Sequence, residues 1–120
     1  MPVRGVRGAT TVERNERGEI LARTEELLRA LVERNGIEVS DIVSALFSVT
    51  DDIDAEFPAV AARRLGWMYT PLMCTREIPV PGSKPLCIRV LAHLNTERSR
   101  DELRHVYLRD AVTLRDDLPG

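Results

Sequence analysis

The residues best suited to chemistry lie in the second half of the chain. Residues 86–94, Leu-Cys-Ile-Arg-Val-Leu-Ala-His-Leu, alternate as a strand does, and Arg89 shares one side with Cys87, Leu91 and His93. A solvated sheet face usually carries more charge than this, so Arg89 is expected to be a half-sheltered cation that needs an anionic partner. Glu77 is the candidate. If residues 72–78 and 86–94 pair as a hairpin centred on Ser83, Glu77 lies six residues before the centre and Arg89 six after it. The pair then reads in two ways. It is a cross-strand ion pair, worth about 0.2–1 kcal/mol when exposed, or it is a cation and a carboxylate facing one small polar ligand.

Other side chains offer less on their own. Arg7 stands between Gly5 and Gly8 in a strand-like stretch, and glycines there mark a bulge or a close approach. Arg63 and Arg64 end a short helix, where cations suit the dipole. Tyr107 has the phenol of a buried hydrogen-bond donor, and Cys74 reads as a small core residue. No Gly-x-Ser-x-Gly elbow occurs and no His–carboxylate constellation points at either cysteine, so hydrolytic covalent catalysis has little support. The spacing Cys74-x12-Cys87-x5-His93-x11-His105 matches no familiar zinc site. Gly-Val-Arg-Gly lacks the Lys-Ser/Thr of a phosphate loop.

The elements that must position these residues follow from periodicity. Residues 2–10 read as a strand. Ile20, Thr24, Leu27, Leu28 and Leu31 form one stripe of a helix over 16–35, and Gly36 stops it. In the strand 43–50, Val43, Ala45, Phe47 and Val49 are expected on the core side, with Ser44, Leu46, Ser48 and Thr50 opposite. Phe57-Pro58-Ala59 opens a short helix to about Leu65. Strands are expected over 67–77, 86–94 and 105–108, a turn-rich loop over 79–85, and a short helix from the Ser99-x-x-Glu102 capping box. The predicted fold is α+β, a mixed β-sheet with one long helix packed on one face.

Composition bounds the rest. At 120 residues with 43% hydrophobic side chains, the chain is expected to be one domain, 1–120, loose after Leu114. Net charge is −2, which argues against a field that recruits nucleic acid or anionic membrane. Its basic residues are sixteen Arg and a single Lys, Lys84. No apolar stretch nears the ~18 residues that cross a membrane. Residues 1–8 have no apolar signal region, and two cysteines are too few for a disulfide scaffold, so a cytoplasmic protein with free thiols is expected.

Six strings give these residues a family. Arg4-Gly-Val-Arg-Gly-Ala-Thr-Thr-Val-Glu-Arg14, Phe57-Pro-Ala59, Cys74-x-x-Glu77, Cys87-Ile-Arg-Val-Leu91, Arg104-His-Val-Tyr-Leu108 and Leu114-Arg-Asp-Asp-Leu118 occur in one order. Together they resemble the monofunctional chorismate mutases of the trimeric α/β-barrel class, over residues 3 to 118. The resemblance implies a homotrimer whose sheets form a barrel-like core, with active sites at the subunit interfaces. It implies rearrangement of chorismate to prephenate in aromatic amino-acid biosynthesis, without cofactor or metal.

Carried over by position, Arg7 and Arg89 contact the substrate, Arg89 at the ether oxygen and a carboxylate. Glu77 and Cys74 meet the ring hydroxyl region, and Tyr107 donates to a carboxylate. Phe57, Ala59, Leu72, Met73 and Leu114 are implied as pocket walls, with Arg63 and Arg115 near the mouth. Cys74 and Glu77 have opposite strand parity, so a simple hairpin does not present both. Asp116 stands where the family has proline, and a tail ending at Gly120 is expected to affect closure over the site. The readings set against this one are an enamine/imine deaminase on a similar trimer, whose signatures are not evident, and a non-catalytic sensor of an aromatic-pathway acid.

Overall fold

The long helix carries the clearest local signals. In a computed structural model, which describes residues 2–114, α1 spans Arg17–Asn35. Glu16 caps it, its carboxylate accepting from the Gly18 and Glu19 amides at 2.9 and 3.1 Å. Gly36 ends it in the left-handed region at φ 57, and the Ile37 amide then reaches back to the Val32 carbonyl at 3.2 Å. Ile20, Thr24, Leu27, Leu28 and Leu31, the expected stripe, are all buried.

The strands are β1 (Val3–Thr11), β2 (Ile42–Val49), β3 (Leu72–Arg76), β4 (Cys87–Asn95) and β5 (Val106–Tyr107). They form one mixed sheet in the order β3-β2-β4-β1-β5. α1 and the short helix α2 (Ala59–Arg64) cover one face. Val6 of β1, Ala45 and Phe47 of β2, and Val90, Ala92 and Leu94 of β4 meet Leu27, Leu28 and Leu31 there. Trp67 and Ala62 complete this core. The fold is therefore α+β with a five-stranded mixed sheet.

Several expectations change. β3 and β4 are not a hairpin: β2 lies between them, parallel to β3 and antiparallel to β4. The loop over 79–85 thus connects two non-adjacent strands. Val43 does not face the core, because the register shifts between Ile42 and Ser44 and leaves Val43 as the extra residue of a bulge. Ile42 takes the buried place and Val43 is 42% exposed. The strand expected over 67–77 begins only at Leu72, since Trp67 is used as a plug of the core. Leu86 lies outside β4, at φ 51, its amide held by the Asp52 carboxylate at 3.0 Å. The Ser99–Glu102 capping box forms, but the helix it opens is a single 3₁₀ turn over Arg100–Glu102. The expected tail, 115–120, lies outside the described residues.

Candidate active site on the open sheet face

The face away from α1 is built in rows. Tyr107 of β5, Ala9 of β1, Arg89 of β4, Ser48 of β2 and Thr75 of β3 are in register across the sheet. The next row holds Arg7, Leu91, Leu46 and Met73. Alternation within each strand sends all these side chains to the same side. A cleft of about 360 Å³ opens above them, lined by Arg7, Arg89, Tyr107, Ser48, Leu46 and Leu91, among others.

Glu77 follows the end of β3. Its amide donates to the Val49 carbonyl at 2.9 Å, which prolongs the β2–β3 ladder and turns the carboxylate to the open face. Ser48 Oγ donates to Glu77 Oε2, and Arg89 Nε lies 3.6 Å from the same oxygen. The Glu77–Arg89 association is therefore real, although the route is different: β2 stands between the two strands and Ser48 bridges them. Alternation had put Ser48 on the polar side of its strand, but nothing local marked it as a partner for Glu77.

Cys87 shares this face yet is fully buried, since Ala9, Tyr107, Leu114 and Ala111 close over it. Ala111 belongs to a 3₁₀ turn over Arg109–Thr113. Burial pushes the Cys87 thiol up, against the opposing pull of the Arg89 guanidinium. Leu114, an expected pocket wall, and Tyr107, an expected ligand contact, thus pack against the same small cluster.

A second group of expected residues sits elsewhere. Cys74 is in register with Phe47 and packs against the helix-side core, on the face opposite Glu77 and Arg89. Within one chain, then, Cys74 and Glu77 do not meet, as their strand parity required. Burial also raises the Cys74 thiol, while a hydrogen bond from the Ala59 amide, at the start of α2, works the other way. Phe57, Pro58, Cys74, Thr75, Val49 and Ile53 line a separate cleft of about 400 Å³. Phe57 is 66% exposed at its rim. Leu72 packs partly against the helix-side core, whereas Met73 is 64% exposed on the open face. Arg63 is held by the Trp67 and Met68 carbonyls at 2.5 and 2.8 Å. Arg115 lies outside the described residues.

Fold and cleft together define the class: a small α+β protein whose mixed sheet leaves one face open and lines it with two arginines, a carboxylate and a phenol. The family model for chorismate mutase type I matches residues 3–118. The chain is 50% identical over 117 residues to the chorismate mutase AroH of Thermus thermophilus, covering 97% of this chain and 96% of that one. It is 47% identical over 119 residues to the AroH of Bacillus subtilis (strain 168), covering 98% and 94% respectively. The structure of a chorismate mutase from Clostridium thermocellum superimposes with a TM-score of 0.89 at 52% identity, covering 90% of this chain and 96% of that one. The chain belongs to the chorismate mutase type I family. Its activity is that of a chorismate mutase, an isomerase.

Proposed function

We propose that the open-face cleft is where chorismate becomes prephenate, the step the family contributes to aromatic amino-acid biosynthesis. The observation that carries this reading is the convergence of Arg7, Arg89 and Tyr107 on one cleft, with Glu77 ordered against Arg89 by Ser48. Chorismate is a small dianion, and two guanidinium groups and a phenol suit its carboxylates. The rearrangement is pericyclic: the ether C–O bond breaks as a C–C bond forms, and no nucleophile, leaving group or proton transfer takes part. The protein's contribution is to confine the substrate in its chair-like reactive conformer. It also places a fixed positive charge beside the ether oxygen as charge develops there. Arginine suits that role because it is a permanent cation with a planar donor fork. Both thiols being pushed up agrees with a mechanism that needs no thiolate.

The assembly belongs to the same proposal. Arg7, Glu77, Arg89 and Tyr107 form one half-site on the open face; Phe57, Ala59, Cys74, Leu72 and Arg63 cluster around α2 and β3. A homotrimer whose interfaces bring one chain's first group against the next chain's second group completes the site, with Met73 at the junction and Leu114 and Arg115 closing over it. Part of this reading is a cytoplasmic enzyme, built as one domain over residues 1–120 and working without cofactor or metal.

Arg89→Ala tests the proposal. Chorismate consumption, followed by ultraviolet absorbance, is expected to slow by about 10²–10³ in kcat or more, the usual cost of one preorganised donor. Molecular mass by light scattering is expected to stay that of the wild type. Near-normal turnover in this variant overturns the assignment of Arg89 and of the cleft.

A further inference from the structure

β1 and β5 pair in parallel only at Gly8–Val106 and Ala9–Tyr107. The Leu108 amide donates to the Ala9 carbonyl at 2.9 Å, which sets the phase of this ladder. Continued by one step, a parallel ladder of that phase would offer the Arg104 carbonyl to the Arg7 amide. The Arg104 carbonyl is engaged otherwise: it accepts from Asn35 Nδ2 at 3.0 Å. The Arg7 amide instead donates to a side chain, His105 Nδ1, at 2.9 Å. An imidazole nitrogen stands in for the missing strand carbonyl.

This acceptor is well anchored. Asn35, fully buried at the end of α1, also accepts the Arg104 amide at 2.7 Å, so Arg104, the residue before His105, is held at both its amide and its carbonyl. Val106, the residue after it, is fully buried in the main core. His105 therefore lies between a clamped residue and the two-residue strand that carries Tyr107. From there it fixes the backbone of Arg7, on the strand that lines the other side of the same cleft.

We propose that His105 is a positioning residue for the rearrangement: Nδ1, unprotonated, sets the Arg7 peptide and with it the origin of the Arg7 side chain. The inference rests on the reading of Arg7 as a substrate contact. Its weight comes from geometry, since a misplacement of ~1 Å at a contact group can cost about 10²-fold in rate. Without the acceptor, the Arg7 amide has no strand partner on the β5 side, and the Arg7 peptide is held from the β4 side alone.

The acceptor is tested by paired variants. His105→Leu removes it, whereas His105→Asn keeps one, because Oδ1 of asparagine branches from Cγ as Nδ1 does. His105→Leu is expected to lower kcat/KM about tenfold, the scale of one lost hydrogen bond, with molecular mass unchanged and only a small fall in denaturation midpoint. His105→Asn is expected to recover to within about threefold of wild type, a rescue that a purely packing role does not predict. In an Arg7→Ala background, His105→Leu is expected to add nothing further. A His105→Leu enzyme as active as the wild type, beside an impaired Arg7→Ala enzyme, overturns the role of His105 alone. An unimpaired Arg7→Ala enzyme overturns the reading of Arg7 and takes His105 with it. If His105→Leu fails to fold, the tautomer decides: ¹⁵N shifts of the wild-type ring that show Nδ1 protonated sink the proposal, and a proton on Nε2 only supports it.

Discussion

Arg89 and Glu77 show what a single residue can and cannot do here. Their carboxylate–guanidinium contact of 3.6 Å is partly exposed and is worth little to stability by itself. Its value is orientation: Ser48 and Arg89 approach the same carboxylate oxygen, so Glu77 is fixed from two strands at once. The energetic anchor is a different polar residue, Asn35. It is fully buried, accepts the Arg104 amide at 2.7 Å, and donates to the Arg104 and Leu31 carbonyls at 3.0 and 2.9 Å. Asn35→Ala takes away the partner of the part-buried Arg104 amide and carbonyl and leaves a gap where a fully buried side chain stood, a loss on the order of 1–3 kcal/mol in all. A fall of that size in the unfolding free energy from urea titration is expected, and a change under about 0.5 kcal/mol would show that water or relaxation replaces the side chain.

At the scale of elements, β1 has to approach α1 closely where it passes beneath it. Gly8 lies on the helix-side face of β1, and a Cβ there would stand 3.1 Å from both Leu27 Cδ1 and Val90 Cγ1. Those two side chains are 0% and 2% exposed, so neither has room to give way. Replacing a strand glycine by alanine would otherwise gain ~0.4–1 kcal/mol through the unfolded chain. Overpacking costs ~1–3 kcal/mol and prevails. Gly8→Ala is expected to lower stability by about 1 kcal/mol or more in thermal or urea denaturation; a more stable variant would show that α1 can shift outward. Gly8 was legible in the sequence as marking a bulge or a close approach, of which the structure has the approach, and the α1 stripe was legible from its 3.6-residue period, because both signals are local. Val43 was misplaced because one bulge residue reverses strand parity, and a bulge leaves no mark in alternation. The hairpin between β3 and β4 was wrong because a strand earlier in the chain, β2, inserts between them. Charge complementarity still found Glu77 for Arg89, since oppositely charged residues on one face attract whichever strand separates them. Nothing in the spacing linked His105 to Arg7, 98 residues apart. Family resemblance supplied the remaining candidate residues, and it named residues from both clefts without telling which lie together in one chain.

The whole molecule is one-sided. Helices α1 and α2 cover one face of the sheet, while the other carries Leu46, Leu91 and Met73 in a row beside Arg7, with Leu46 38% and Met73 64% exposed. An apolar row rimmed by charge marks a surface meant to be covered, and the proposed trimer covers it while joining the two half-sites. Leu46→Glu places a carboxylate on that row and, in a trimer, buries it against the next chain, where an unpaired charge is strongly unfavourable. The variant is expected to keep the wild-type far-ultraviolet dichroism, because Leu46 contributes nothing to the helix-side core. Its mass by light scattering is expected to fall toward that of one 13.5 kDa chain. Leu46 also borders the cleft, so lost activity alone would not separate dissociation from direct damage. Concentration does separate them. If the half-sites must come from different chains, specific activity of the variant rises with protein concentration as the trimer is restored by mass action. A variant that remains trimeric, or a wild-type chain that is monomeric and fully active when dilute, removes the shared site and leaves each chain to bind its substrate alone.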